Sequence, residues 1–494
     1  MIPLAASVPV LTCDETRRLE ATLFAGDEAR EWPAMERAGR AIAEAVLADA
    51  LEAGGWPAGA RVLVLAGKGH NGGDALLAAA EVCRRHPDVA VDVLFVFGLA
   101  ALRPLAARAW RRLEETAGPR VRVVEPDTFA SEAGWWLCLD GVFGFQFRAP
   151  AEPWVAALLA RANAARVALR AAVDLPSAGL FQADFTYATG AVKDAIVGAP
   201  AAGRLRYLDL GFFRGGEPGA VRVLTRDILA PLAGLRPGAS DKRTFGHVFI
   251  VGGSRDFPGA ILMTVLAALH SGAGLVTAFV PETLVPAFAA RAPEAMWIGC
   301  PETPSGSLAL EGEHRLRQRW DRATALVLGP GLGREPETLA LARSLVAAAT
   351  VPVVIDADAL QPAIVRAGTA PRILTPHAGE LARIADGREP EALVAETGAT
   401  LVCKAPVTRI VGPGNPTYLS LFGGPVLARG GSGDLLAGVI GGLLAQAPAE
   451  PLLAAARGVA WHGRAADLAA RADGPTSIRV TRLLDFLPAA LREH

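Results

Sequence analysis

Lysine is nearly missing from this chain. Among 49 basic residues in 494, the lysines are Lys68, Lys193, Lys242 and Lys404 alone. Arginine carries the ordinary surface charge, so these ammonium groups are candidates for places that need a compact cation rather than a planar fork. An excess of either charge is missing too: 49 Lys and Arg face 50 Asp and Glu, for a net charge of -1. That balance excludes nucleic-acid binding driven by bulk charge. Cysteines are few, and Cys13, Cys83, Cys138, Cys300 and Cys403 form no CxxC and no Cys/His cluster at zinc spacing. They read as reduced thiols of a cytoplasmic protein. Long apolar runs are absent. The most apolar windows, 261–269 and 435–445, stop well short of the roughly 20 residues that a membrane span needs. The start, "MIPLAASVPVLTCDE", has no basic region and only a short apolar run, which makes a poor signal peptide. A soluble protein with no membrane or nucleic-acid partner is expected.

What is present is apolar residue in quantity, 51% of the chain, over a length that suits about two to four domains. Residues 10–50 read as helices. Strands and helices then alternate, with strands in "RVLVLAG" (61–67), "VDVLFVFG" (91–98), "WWLCLDGVFG" (135–144), "RVALRAAVDLPS" (166–177), "FTYATGA" (185–191) and "LRYLDLGF" (205–212). Continuous apolar strands separated by helices predict a parallel sheet covered on both faces. A stretch rich in Gly, Pro and charge at 214–245 breaks the pattern. A boundary is expected there, with domains at 1–230 and 231–494. A second alternating series follows, with strands in "HVFIVGG" (247–253), "GLVTAFVP" (274–281), "ATALVLGPG" (323–331), "PVVIDAD" (352–358), "PRILTPH" (371–377) and "TLVCKA" (400–405).

The first glycine loop, "LAGKGHNGGDALLAA", matches G-x-G-x-x-G at Gly67, Gly69 and Gly72. A dinucleotide-binding Rossmann site would place an acid at the end of the next strand. That strand ends "LFVFGLA", and Asp92 stands at its start, so a dehydrogenase is disfavoured. What remains is a helix N-terminus with glycine amides, suited to phosphate. Asn71, Asp74, Asp140 and Asp174 are expected to converge at the C-terminal edge of the sheet, where open parallel sheets bind ligands. Each alone reads as a cap or turn residue.

"MERAGRAIAE", "GKGHNGGDALLAA", "LDGVFGFQF" and "VDLPS" together resemble the NAD(P)H-hydrate epimerase domain. The resemblance implies a Rossmann-like three-layer α/β/α fold and a nucleotide pocket. Its lining would be His70, Asn71, Gly72, Gly73, Asp74, the turn Gly144, Phe145, Gln146, Phe147, Arg148, Ala149 and Pro150, and Asp174. It further implies a K+ held by Asn71, Asp140 and Ser177, with Asp140 as the acid/base; oxygen ligands suit a hard cation. His70 stands where the family usually has Asn, Ala75 where it has Gly, and the loop after "PSAG" is short.

In "ARGGSGDLLAGVIGGLLA" (428–445), Gly430, Gly431 and Gly433 can turn amides toward one point at the start of an apolar helix. That arrangement suits an anion. Asp434 would repel a phosphate and is better placed as a base on a neighbouring hydroxyl. The alternative is an Asp favoured by the helix dipole. In "ILTPHAGEL", Thr375 and Pro376 read as N-cap and N1. Lys404 stands at a strand end, where an ammonium can meet phosphate.

With "TFGHVFIVGGS", "SGAGLVT", "GPGLG", "DADAL" and "LTPHAGE", this half strongly resembles the ADP/ATP-dependent NAD(P)H-hydrate dehydratase domain, of ribokinase-like fold. The resemblance implies that Ala260, Gly331, His377 and Asp434 contact the hydrate, with Asp434 as base. Lys404, Ala405, Pro406, Val407, Thr408 and Gly433 would contact ADP, with Mg2+ accompanying the nucleotide. The family's usual KGAGT is "KAPVT" here, and Pro406 removes one amide donor. The tandem order implies a repair enzyme of two activities. ADP-dependent dehydration would act on the S form of NADHX or NADPHX, and an epimerase would interconvert the R and S forms, in a cytoplasmic homo-oligomer. Two rivals remain open at this point: a ribokinase-like small-molecule kinase, and an N-terminal domain that only binds nucleotide or oligomerises.

Overall fold

The computed structural model describes residues 2–129 and 134–492. The chain divides into two compact units, Val8–Gly219 with Ala470–Pro475 in one, and Ala220–Ala469 with the residues up to Ser7 and from Thr476 onward in the other. The change of unit falls at 219/220, ahead of the expected 230/231. Its reason is a strand at Val221–Leu224 that pairs in parallel with Thr417–Ser420 of the second sheet.

In the first unit the strands are β1 (Ser7–Leu11), β2 (Arg61–Ala66), β3 (Ala90–Phe95), β4 (Val121–Val123), β5 (Gly134–Gly141), β6 (Arg166–Val173), β7 (Phe185–Thr189), β8 (Val192–Lys193) and β9 (Arg204–Leu208). A seven-stranded sheet has the order β4-β3-β2-β5-β6-β7-β9, all parallel. The run "RVLVLA" shows why its strands read as continuous apolar segments. Val62, Val64 and Ala66 enter one core, and Leu63 and Leu65 enter another on the opposite face. Side chains alternate faces, so a strand buried on both sides has no polar position to spare. Helices Cys13–Phe24 and Glu28–Ala50 precede the sheet. The first carries a capping box between Thr12 and Glu15. The second begins before the periodic stretch and runs through Pro33.

The second unit holds β10 (Val221–Leu224), β11 (His247–Val251), β12 (Leu275–Pro281), β13 (Met296–Cys300), β14 (Ala325–Leu328), β15 (Val353–Ile355), β16 (Arg372–Leu374), β17 (Thr400–Cys403), β18 (Thr408–Val411) and β19 (Thr417–Ser420). Their order is β13-β12-β11-β14-β15-β16-β17-β18-β19-β10. The parallel sheet expected from sequence stops at β17; β17, β18 and β19 pair antiparallel. Strands β10, β18 and β19 escaped the sequence reading because they are short and carry Arg, Thr or Ser between apolar residues; β13, "MWIGC", escaped with a glycine inside it. Both units are α/β.

Helix Ser432–Gln446 is buried along nearly its whole length. Its internal glycines are needed for close approach to helix Pro258–His270. A methyl at Gly438 would lie 2.2 Å from Thr264 O, and one at Gly442 would lie 1.8 Å from Ser271 Oγ. The burial of this helix fixes Asp434, in its first turn, at the C-terminal edge of the sheet.

Candidate active sites

In the first unit, helix His70–Arg85 starts directly after β2, with Gly69 at its N-cap. Its first amides have no carbonyl partner within the helix and face the sheet edge. Two cavities open there. The larger, of about 420 Å3, is lined by residues 68–72, Asp74, residues 142–148 and Asp174 among others. The smaller, of about 270 Å3, lies against Arg17, Glu20, Phe24, Met35, His70 and Phe212. Lys68, Arg103 and Arg148 bring positive charge to the larger cavity, and Phe97, Phe143 and Phe147 give it aromatic surface. Phe143 and Phe147 stack with centroids 4.1 Å apart, and Lys68 Nζ stands 5.5 Å from the Phe97 ring.

All four residues stand at this sheet edge, and Asn71, Asp74 and Asp174 line the larger cavity. Asp140 sits at the end of β5, opposite Leu65 of β2, is wholly buried and lines neither cavity. Ser177 N donates to its Oδ2 at 2.7 Å, Ser177 Oγ to its Oδ1 at 2.6 Å, and Val142 N to its Oδ1 at 3.3 Å. Burial pushes the Asp140 carboxyl up to about 6, against those hydrogen bonds. Asn71 Nδ2 donates to Val173 O at 2.9 Å, and a methyl at Gly144 would lie 2.3 Å from Asn71 Oδ1. His70 Nε2 is 3.2 Å from Glu31 Oε2.

Asp174 adopts φ 69° and is buried with Lys193, whose Nζ bonds its Oδ1; Thr189 N and Oγ1 add bonds at 3.2 Å each. Asp74 is buried at 8% exposure, and its Oδ1 has no hydrogen-bond partner. Burial first, then Asp174 and Glu20, hold the Asp74 carboxyl well above the usual range, and Lys193 works the other way. Glu20 is pushed up to about 7 by burial and by Asp174. Glu20 and Lys193 are site residues that the motifs did not reveal, though the scarcity of lysine was a signal for Lys193. Asp92 proves structural: Arg61, Arg122 and Trp135 bond it at 2.6, 2.8 and 2.8 Å, and no acid ends β3.

In the second unit, Gly431 (φ 91°) precedes helix Ser432–Gln446, and Arg429 ties this loop to Thr476 O and Ile478 O, each at 2.6 Å. A methyl at Gly433 would lie 3.2 Å from Lys404 Nζ and 3.9 Å from Asp356 Oδ2, so the glycine backbone lies directly over the ammonium. Lys404 Nζ bonds Asp356 Oδ1 at 3.1 Å and stands 3.9 Å from Glu380 Oε2. Burial lowers the Lys404 pKa, but Asp356, Glu380 and Asp434 together raise it more. Asp434 is pushed up to about 6 by burial first, then by Asp356, against Lys404.

The N-cap of helix Ala378–Ala385 is His377, which replaces the expected Thr375 and Pro376. Its Nδ1 accepts from Gly379 N at 3.1 Å and Glu380 N at 3.4 Å, while Glu380 Oε2 accepts from His377 N at 2.8 Å. Thr375 instead donates from Oγ1 to Asp356 Oδ1 at 2.7 Å, because Asp356 is buried and needs donors. The His377 side chain stays 62% exposed, open to a ligand. Its backbone bridges to Lys404, which joins the two sides of the site. Gly331 lies against Ala260, with a methyl there 3.1 Å from Ala260 Cβ. Phe257, beside them and 57% exposed, is an aromatic surface that the motifs missed. Ala405 and Pro406 are exposed, Val407 and Thr408 are partly buried, and Thr408 Oγ1 donates to Ala405 O at 3.3 Å.

Two family models match the chain. One, described as NAD(P)H-hydrate dehydratase, matches residues 248–489, and the other, YjeF-related protein N-terminus, matches residues 33–200. A bifunctional NAD(P)H-hydrate repair enzyme Nnr of Moorella thermoacetica is 34% identical over 497 residues, which cover 93% of this chain and 92% of that protein. One from Gloeobacter violaceus is 36% identical over 503 residues, 92% of this chain and 93% of that protein. The ADP-dependent (S)-NAD(P)H-hydrate dehydratase of Lactococcus lactis is 31% identical over 282 residues, 55% of this chain and 98% of that protein.

Proposed function

The chain belongs to the family of bifunctional NAD(P)H-hydrate repair enzymes, and from that premise we propose how its two units divide the work. The repair is an ADP-dependent dehydration of hydrated NADH or NADPH, joined to an epimerisation of its R and S forms. In the unit built on Ala220–Ala469, Asp434 takes the proton of the ring hydroxyl as the phosphoryl group arrives from ADP. Loss of that phosphate then restores the dihydropyridine. The amides of the Gly430–Gly433 loop and Lys404 hold the phosphate beside the base. Ala260, Gly331, His377 and Asp434 contact the hydrate, and residues Lys404, Ala405, Pro406, Val407, Thr408 and Gly433 contact ADP or ATP. The observation that carries this reading is a carboxyl pushed up to about 6, next in sequence to Gly433, whose backbone lies against the Lys404 ammonium. A base with that pKa is ionised at neutral pH yet still holds a proton usefully.

Mg2+ fits as the companion of the nucleotide. Among the described residues no three His, Cys, Asp or Glu side chains are grouped to hold a metal by themselves, and Mg2+ would be carried by the phosphates of the nucleotide. When bound, it neutralises phosphate charge. In the first unit His70 to Asp74, Gly144 to Pro150 and Asp174 receive the hydrate, and Lys68, Arg103 and Arg148 meet its phosphates. Asn71, Asp140 and Ser177 would hold K+. Their donor set is all oxygen, and the Asn71 amide nitrogen is engaged by Val173 O, leaving its oxygen for a cation. Bound K+ would supply fixed positive charge under the cavity. A cytoplasmic homo-oligomer is part of the same reading, and five free cysteines, four of them buried, suit a reducing compartment.

The test uses mixed R and S NADHX with enzyme, Mg2+ and ADP, following recovery of the reduced-nicotinamide absorbance. Recovery of essentially all the hydrate is expected. Recovery that stalls once the S form is spent refutes the epimerase role, and no nucleotide-dependent recovery refutes the dehydratase role.

A further inference from the structure

Glu20 belongs to no glycine loop and to no strand end. It lies on helix Cys13–Phe24, yet it lines both cavities of the first unit, as does Asp74 from helix His70–Arg85. Two carboxyl groups thus reach one space from two different helices. The other charges around them are accounted for: Asp174 is paired with Lys193, and Glu31 stands beside His70. Arg17 lines the smaller cavity on the same helix as Glu20. Asp74 Oδ1 is buried and unpartnered at the cavity wall, an open position for a ligand atom. Asp140 is sealed by Ser177 and Val142 and lines neither cavity.

We propose that Glu20 and Asp74 are the proton-transfer pair of the epimerase, with the hydrated ring held between them in the smaller cavity and its phosphates beside Lys68, Arg103 and Arg148 in the larger one. This rests on the epimerase reading of the Val8–Gly219 unit. The hydrate is a hemiaminal, with hydroxyl and ring nitrogen on one carbon, and inverting that carbon needs water to leave one face and return on the other. Asp74, protonated in its buried position, gives its proton to the departing hydroxyl. The carbon–oxygen bond breaks, water leaves, and the ring nitrogen lone pair closes a carbon–nitrogen double bond. Water then adds from the opposite face, and Glu20 takes the proton it releases. Return of that proton from Glu20 to Asp74 resets the pair, and the reverse direction runs the same steps backward. The division of labour follows from the environment. Asp74, more deeply buried, keeps its proton, and Glu20, pushed up to about 7 by burial, Asp174 and Glu31 against Lys193, exchanges one near neutrality.

The experiment measures interconversion of purified R and S NADHX by the full-length protein, above the uncatalysed rate, for wild type, Glu20→Gln, Glu20→Asp and Asp140→Asn. ADP-dependent dehydration of the S form by each protein reports on the second unit, and proteolytic sensitivity of residues 8–219 reports that the first unit is folded. The expected result for Glu20→Gln is a kcat for interconversion lower by about 10²–10⁴-fold, the usual yield of a positioned acid or base, with KM changed by less than about threefold. The limb of the pH profile near 7 disappears in Glu20→Gln and returns in Glu20→Asp with part of the rate. Glu20→Gln that keeps the wild-type kcat and pH limb, or that raises KM alone, overturns the proposal and leaves the epimerase reading standing. So does an Asp140→Asn protein that loses the limb while Glu20→Gln keeps it. A wild-type chain that does not accelerate interconversion removes the epimerase reading and the proposal together.

Discussion

Replacing Asp434 with Asn separates what that carboxylate does for catalysis from what it costs the fold. Its pKa rises from an ordinary 3.8 to about 6 because burial and the Asp356 carboxylate oppose its charge more than Lys404 supports it. A raised carboxyl binds protons more tightly folded than unfolded. The wild type therefore loses stability as pH climbs through the window from 3.8 to about 6 and is level above it. The displacement corresponds to about 3 kcal/mol at about 1.4 kcal/mol per unit, and partial exposure of the side chain trims the expected gain to about 2 kcal/mol. Asn keeps the volume, and the Asp434 carboxylate is the acceptor of no hydrogen bond described above that would be lost. Asp434→Asn is thus expected to be more stable by about 2 kcal/mol at pH 7.5 and by about half as much at pH 5. Its dehydration kcat is expected to fall by about 10²–10⁴-fold. Urea titrations read by hydrogen exchange within helix Ser432–Gln446 assign the stability to this unit. Recovery of reduced-nicotinamide absorbance from S-NADHX gives the rate. A variant that is destabilised at pH 7.5, or that keeps more than about a tenth of the activity, refutes the reasoning.

Lys193→Met leaves Asp174 buried without its cation, which is expected to cost the first unit about 3–5 kcal/mol and abolish epimerisation, while dehydration by the same protein continues. Separate assays of the two activities, with proteolytic sensitivity of residues 8–219, check this; equal loss of both activities contradicts it. Gly329→Ala puts a methyl 1.9 Å from Asp356 O at a backbone with φ 125°. Displacement of Asp356 removes the partner of Lys404, so dehydration is expected to fall by at least about tenfold, with a loss of several kcal/mol in the second unit. Wild-type turnover and stability in that variant refute the close approach.

Much of the architecture was legible because a two-sided sheet leaves no polar position in its strands. "RVLVLA" and "HVFIV" announce themselves, and helix starts after glycine turns place the ligand edge. The strands that escaped, such as "VRVL" and "TYLS", are short, and their status depends on pairing with one another across the chain. In the sites, the loops at Asn71–Asp74 and Gly430–Asp434 were visible as motifs. Thr375 reads from sequence as the N-cap of helix Ala378–Ala385, and the rank of His377 above it was not visible. That choice turns on Asp356, whose burial draws the threonine hydroxyl away.

The sequence by itself determined the two α/β units, the glycine turns that open toward phosphate, and the few lysines. Lys68, Lys193 and Lys404 all stand at a site. Only the tertiary structure decided which carboxylates face a cavity. Asp140, a strand-end acid, lies buried against Ser177, while Glu20, on a helix that no motif marks, lines both cavities. The physical reason is that a carboxyl's proton affinity and its access to a ligand come from desolvation and from charges brought near by folding. Neither belongs to the residue or to its neighbours in sequence.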